Sequence, residues 1–544
     1  MTKPRPRGRG SAAKGALGRH LALAALLLLA AGAWAQQQPR QAVDVIREAD
    51  LKADLFFLAA DEMAGRNTTS PEAHIAANYI AAEFMRLGLK PVGAPGSYFQ
   101  DFDMVIGNLD PARTTLTAKM GGAEKSFQLG HDFLWTRQSL RPTTACGPLV
   151  FAGYGIDAPE YGYDDFSGAD LKGKIAMVLD REPQANDPHS KFKGTWDTYH
   201  AYNWFKIEQV RKQGAVGLLM VPSAGQRRKM GVPSAPRNFQ AGPQPEHAIA
   251  GDFWDLPIFI VRRDVADQLL APSGKTIDAV QTQIDSSGNP ASFEVPGVSA
   301  CLTKSFTDLQ VGKARNVVGL LEGSDPQLRQ QAVVVSGHYD HVGVVSGRIY
   351  HGADDNASGT VGVMEIAKAF VEGNVHPRRS IVFIAYEAEE QGLLGSYYYV
   401  THPAVPLSDT VLNLNMDMIG RDEVSANWPT PPDKNANMVN IVGTPYDGTL
   451  RQTIDSLNQQ VGLRLDYKTD KVDPESWFAR SDHFWFATLH IPMVLFNTGE
   501  HPDYHTENDT WTRINYPKMA KIIRLIFLTA ADAADSNGRI AFTP

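Results

Sequence analysis

From Asn316 onward, apolar runs alternate with helix-like segments: QAVVVS, GTVGVMEIAKAFVEG, SIVFIAY, GLLGSYYYVTH, TVLNLNMD and later IPMVLFN. The short runs are mainly apolar, whereas the longer segments repeat apolar residues at three and four. A strand that is apolar on both sides has to be covered on both sides, and alternation of strand with helix supplies that cover. The expected fold class is α/β, a three-layer, mainly parallel (mixed) sheet with helices on both faces. In open sheets of this kind, sites form outside the carboxyl ends of the strands.

Upstream, Val43 to Leu89 reads as helical; in AHIAANYIAAEFMRLGL the apolar spacing is three and four, and Gly88 supplies the stop. After residue 100 the character changes to short strands and turns. The stretch LVFAGYGIDAPEYGYDDFSGADLKGKIAMVLDREP has β-rich runs bounded by Gly, Pro and Asp, and it leads through FKIEQVRKQGAVGLLMVP to a strand at LPIFIV. Residues 141–300 are read as a smaller α+β module inserted into a larger domain whose two parts are 36–140 and 301–544.

The N-terminus carries Lys3, Arg5, Arg7, Arg9, Lys14 and Arg19, then apolar Leu21 to Ala31, then Ala33-Trp34-Ala35. A basic region, a short apolar core and an A-x-A site describe a secretory signal over 1–35, cleaved after Ala35. The apolar run is short of the ~20 residues a membrane span needs. The expectation is a secreted or periplasmic protein with no stable membrane insertion after cleavage. The chain has 52 Lys and Arg against 60 Asp and Glu, a net charge of −8. Removing 1–35 takes away six basic residues and no acid, leaving −14. That acidity, without a basic cluster, argues against nucleic acid as a partner.

Cys146 and Cys301 are the only cysteines, and neither has a CxxC or CxxH context. They flank the insertion, so a Cys146–Cys301 disulfide would tie its entry and exit strands together in an oxidising compartment. Two separate buried thiols are the alternative.

Five side chains able to bind metal lie at or just past the ends of apolar runs: His338 in SGHYDH, Asp354 in HGADDNASG, Glu390 in YEAEEQGLLGS, Asp417 in NLNMDMIG and His505 in DYHTENDT. Two imidazoles and three carboxylates suit a pair of zinc-like ions that share one carboxylate. Asp340, two residues past His338, is placed to accept the other ring N–H of that histidine. His341 and His351 compete with His338 as ligands. In GADDNASG one carboxylate can bridge two ions while its neighbour and Asn356 hold the turn. Glu389 and Glu390 are adjacent past a buried strand, which suggests that one ligates while the other handles protons. Asp417 ends an apolar strand, where an unpaired carboxylate would be costly.

GHYDH, GADDNASG, AEEQGLLGS, NMDMIG and YHTENDT together resemble, segment for segment, the motifs of the co-catalytic dizinc aminopeptidases, relatives of glutamate carboxypeptidase and the transferrin receptor. The resemblance implies two Zn²⁺ per chain and peptide substrates. It implies that Asp354 bridges, that His338 and Asp417 complete one site and that Glu390 and His505 complete the other. Glu389 would be the general base, Tyr504 an oxyanion donor and Arg480 a substrate-positioning residue. Residues 141–300 look like the protease-associated domain that many members carry. The competing functions are a carboxypeptidase of the same clan, a glutaminyl cyclase using one zinc, and a non-catalytic receptor-like protein that has lost the metals.

Overall fold

A computed structural model describes residues 39 and 41–543 apart from 137–138, 225–244, 252–254, 426–428, 447, 472 and 474–475. The signal segment 1–35 lies outside the described residues. The larger domain is built on a ten-stranded mixed sheet. At its centre Ser380–Tyr386, Ala332–His338, Thr410–Met416 and Met493–Asn497 lie side by side and parallel. Antiparallel Phe306–Leu321 flanks them on one side, followed by Phe99–Leu109; Met438–Val442 flanks them on the other.

Every residue of the four central strands is buried. Alternation then divides them between two cores, because successive side chains leave opposite faces of a strand. Val333, Val335, Ile381, Phe383, Leu412 and Leu414 pack with the helices Glu48–Leu58, Pro71–Arg86, Gly359–Glu372 and Tyr516–Asp535. Val334, Val382 and Ile384 face Leu394, Tyr399, Phe484 and Phe486 on the opposite side. Each such side chain contributes roughly 1.5–3 kcal/mol relative to exposure, so the two apolar faces compel the three layers. Helix Pro71–Arg86 begins as its sequence directs, with Ser70 accepting the N–H of Ala73 and Pro71 in the first turn, and Gly88 beyond its end has φ +70°.

The second sheet has eight strands and its own core. It takes in Thr115–Met120, Ala123–Phe127 and Phe133–Trp135, and ends with Phe293–Lys304. This sheet thus begins near residue 115, upstream of the residue 141 expected for the insertion. These early strands hid because they are short and largely exposed, Ala123–Phe127 burying only Phe127. One piece of the insertion, Glu246–Ile249, returns to the edge of the main sheet beside Phe99–Leu109.

The insertion also leans on the larger domain through aromatic side chains. Trp196 packs edge-on against Tyr446 and Phe478, Tyr202 packs against Phe478 and Phe484, and the Tyr199 hydroxyl meets His490 Nε2 at 2.8 Å. Among the described residues, no helix is long and apolar enough to cross a membrane.

Cys146 and Cys301 are register partners on adjacent antiparallel strands and form a disulfide across a sequence separation of 155. A closed loop of that size predicts, from chain entropy, a stabilisation on the order of 4 to 5 kcal/mol at most. Cys146→Ser with Cys301→Ser is expected to lower the unfolding free energy by about 2–4 kcal/mol. Two reactive thiols in unreduced, denatured wild-type protein would show that the bond does not form.

Candidate metal centre

The parallel strands end together, so His338, the Glu387–Glu390 turn, Asp417 and the loop 498–509 converge at one edge of the sheet. Several of these turns use the left-handed backbone region at residues with a Cβ: Ala388 at φ 65°, Met418 at 56° and His505 at 51°. Such conformations cost of order 1–3 kcal/mol each and persist where the surroundings over-determine them. Here each lies beside, or is, a metal-capable residue.

Two groups of donors form. In the first, His338 Nε2 lies 3.6 Å from Asp355 Oδ1 and 3.6 Å from Asp417 Oδ1. In the second, His505 Nε2 lies 2.9 Å from Asp355 Oδ2 and 3.3 Å from Glu390 Oε1, and His341 Nδ1 lies 2.8 Å from the same Glu390 oxygen. Asp355 belongs to both groups, with one oxygen turned toward each.

The sequence-predicted residues His338, Glu390, Asp417 and His505 are brought together, and Asp354 is not. Its Oδ1 accepts the N–H of Gly420 at 2.6 Å, its Oδ2 lies 3.3 Å from His501 Nε2, and its own N–H donates to Asp509. The reason is conformational. Asp355 leaves helical geometry (φ −105°, ψ 97°), so the two neighbouring carboxylates diverge, and GADDNASG does not say which one faces inward. Of the two competing histidines, His341 reaches the site, while His351 pairs with Asp61 at 2.8 Å.

Asp340 also differs in detail. The main-chain carbonyl of Asp340, not its carboxylate, is the nearer partner of His338 Nδ1, at 3.2 Å against 3.7 Å. The carboxylate accepts the Glu389 N–H at 3.2 Å and the Thr68 hydroxyl at 2.8 Å, and so ties the histidine loop to the glutamate turn. Glu387, two residues before Glu389, is fully buried and accepts from Thr69 N, Arg315 N and the Tyr339 hydroxyl. Burial pushes it up to about 7.

Arg66 had no signal in the sequence. It is fully buried and donates to the carbonyls of Tyr339 (2.8 Å), Leu58, His351 and Gly352, lacing together the two ends of the loop that runs from His338 to Asp355. Asp509, accepting the N–H groups of both Asp354 and Asp355, does the same for the aspartate turn.

The electrostatics call for a cation. Burial disfavours a charged imidazole, yet the Glu389 and Asp417 carboxylates lift His338 well above the usual histidine range. His505 is lifted to about 11 against its burial, chiefly by Glu390 and then Asp355. Glu390 is held well below the carboxylate range, with His505 and His341 outweighing burial. Glu389 goes the other way: burial, assisted by the charges of Glu390 and Asp417, raises it well above that range despite His338. Among the donors, His338 Nε2 and Asp417 Oδ1 are buried without a hydrogen-bond partner. Each such atom costs about 1–3 kcal/mol if nothing engages it, and divalent metal ions satisfy nitrogen and oxygen donors of this kind.

Beside the donors, Tyr504 stacks on His505 at 4.0 Å. Arg480 donates to the Tyr504 hydroxyl at 3.1 Å and to Glu500 at 2.6 Å, with its guanidinium over the Trp477 ring.

Residues 316–530 match the model of Peptidase family M28. The chain is 36% identical over 241 residues to Aminopeptidase YwaD of Bacillus subtilis (42% of this chain, 46% of the relative) and 39% identical over 201 residues to probable leucine aminopeptidase 2 of Aspergillus oryzae (36% and 35%). It thus spans half or less of the length of these curated relatives. Among solved structures, an aminopeptidase from Aneurinibacillus sp. strain AM-1 aligns over 93% of this chain and 98% of its own at 18% identity, with a TM-score of 0.46.

Proposed function

We propose that the chain is a zinc-dependent aminopeptidase that holds two ions, one in each donor group, with Asp355 as the shared ligand. The observation that carries this reading is the Asp355 carboxylate, which turns one oxygen toward each group. The aminopeptidase relatives across the matched segment support it. On this reading His338 and Asp417 complete one half, and Glu390 and His505 anchor the other. Zinc bound there supplies Lewis-acid activation of a water and polarisation of the scissile carbonyl.

The protein's own groups supply the rest. Glu389, 3.8 Å from His338 Nε2 and outside both donor groups, accepts the water proton and later delivers it to the leaving amine. Tyr504 accepts the Arg480 N–H, which leaves its own hydroxyl proton free to be donated to the developing oxyanion. Arg480 thereby positions Tyr504, and Glu500 balances its charge. This differs from the direct substrate contact first expected of it. It also weakens the carboxypeptidase alternative, which needs an uncompensated cation for a terminal carboxylate. The carboxylates of Asp355, Glu389, Glu390 and Asp417 favour a cationic α-amine. The same reading takes 1–35 as a cleaved export signal and the insertion as a protease-associated domain.

The test is a ladder of peptides followed by mass spectrometry. Shortening is expected one residue at a time from the N-terminus, abolished by N-acetylation and by a chelator and indifferent to C-terminal amidation. Shortening from the C-terminus, blocked by amidation, would overturn the assignment in favour of a carboxypeptidase.

A further inference from the structure

We propose that His341 is itself a metal ligand, so that the two halves of the centre are unequal: His341, Asp355, Glu390 and His505 hold one ion with four protein donors, while His338, Asp355 and Asp417 hold the other with three. The inference rests on the two-ion reading above and extends it to the order of loading. The four-donor half fills first and releases its ion last.

The donor spacing is compatible with a closed tetrahedral site. With zinc–nitrogen and zinc–oxygen bonds of about 2.0–2.2 Å, the edges of a ligand tetrahedron are about 3.3–3.6 Å. The measured separations are 2.8 Å from His341 Nδ1 to Glu390 Oε1, 3.8 Å from His341 Nδ1 to Asp355 Oδ2, 2.9 Å from His505 Nε2 to Asp355 Oδ2 and 3.3 Å from His505 Nε2 to Glu390 Oε1. They straddle that edge, and all four donor atoms lie within 4.8 Å of one another.

His341 is also held as a ligand should be. It is fully buried, its N–H donates to the Arg66 carbonyl at 3.1 Å, and its ring lies edge-on to that of His505 with centroids 5.3 Å apart. Behind the ring stands Gly352, at φ +60°, where a Cβ would fall 2.5 Å from His341 Cγ. Arg66 in turn grips the Gly352 carbonyl. The ring is wedged in place before any ion arrives, and rigid placement of this kind lowers the ordering cost of binding.

Among the described residues, the other half has no fourth ligand of this kind. Glu389 Oε2 lies 3.8 Å from His338 Nε2, and its role is to exchange protons. Three protein ligands with an open position describe a catalytic zinc site, and four describe a closed one. The asymmetry therefore assigns retention to the His341 half and exchange of water and substrate to the His338 half.

The alternative is that His341 donates its Nδ1–H to Glu390 and touches no metal. X-ray absorption on metal-free full-length protein given one equivalent of zinc separates the two. The expected result is two imidazole nitrogens on the zinc, falling to one in His341→Gln. Competition titration should show the first equivalent weakened by more than about 100-fold in that variant, beyond the roughly 10- to 100-fold of an outer hydrogen-bond partner. Asp417→Asn should leave the first equivalent in place.

One imidazole on the first zinc of the wild-type protein overturns the proposal whether or not the variant folds. An imidazole count unchanged by His341→Gln does the same. If two zincs still bind, the two-ion reading survives that failure. If the wild-type protein takes up fewer than two, both readings fall.

Discussion

Glu389→Gln is expected to lower kcat by about 10²- to 10⁴-fold, the usual worth of a general acid–base group, while the protein keeps both zincs. Glu389 lies outside both donor groups, so its amide should leave their affinity nearly unchanged. Burial, with the charges of Glu390 and Asp417 adding to it, disfavours a charged group at this position, so the neutral amide should fold at least as readily. Glu390→Gln is the control. Glu390 is a donor to the half that contains His505 and His341, and that variant should lose an ion. Zinc lost from the Glu389 variant and retained by the Glu390 variant would require the two roles to be exchanged.

The second large effect separates two adjacent aspartates. Asp355→Ala is expected to lower zinc occupancy at both positions, because it removes one oxygen from each donor group at once, and activity should fall with the metal. Asp354→Ala should leave both donor groups in place and act on stability instead. It strips the acceptor from the buried Gly420 N–H and the carboxylate beside His501, a loss of about 1–3 kcal/mol. Elemental analysis and thermal unfolding of the two variants give the answer. Two zincs retained in Asp355→Ala, or both lost in a folded Asp354→Ala, would remove the shared-ligand role from Asp355.

That pair also shows how far a motif carries. The segment GADDNASG was legible as a metal-capable turn because two carboxylates sit between small residues just ahead of a helix. The choice between them was not, since it depends on dihedral angles that Asp509 enforces from more than 150 residues away. His341 was similarly visible but undecidable, a third polar residue in GHYDH, until Arg66 and Gly352 fixed where its ring points. From sequence alone Arg480 reads as a substrate contact, whereas its hydrogen bonds to Tyr504 and Glu500 and its place over Trp477 favour the positioning role proposed for it. The second sheet begins near 115, ahead of residue 141, because short strands that are largely exposed carry little hydrophobic signal.

What the sequence determined by itself is the part written in local periodicity and chain order. Mainly apolar strands alternating with amphipathic helices compel a covered parallel sheet, and donors placed just after several of those strands must meet where parallel strands end together. Only the tertiary structure decided which atoms of those donors face one another. Orientation within a turn is set by partners remote in the chain, through buried hydrogen bonds such as those of Arg66 to Tyr339 and Gly352, and no local pattern of residues encodes a contact whose two sides are hundreds of residues apart.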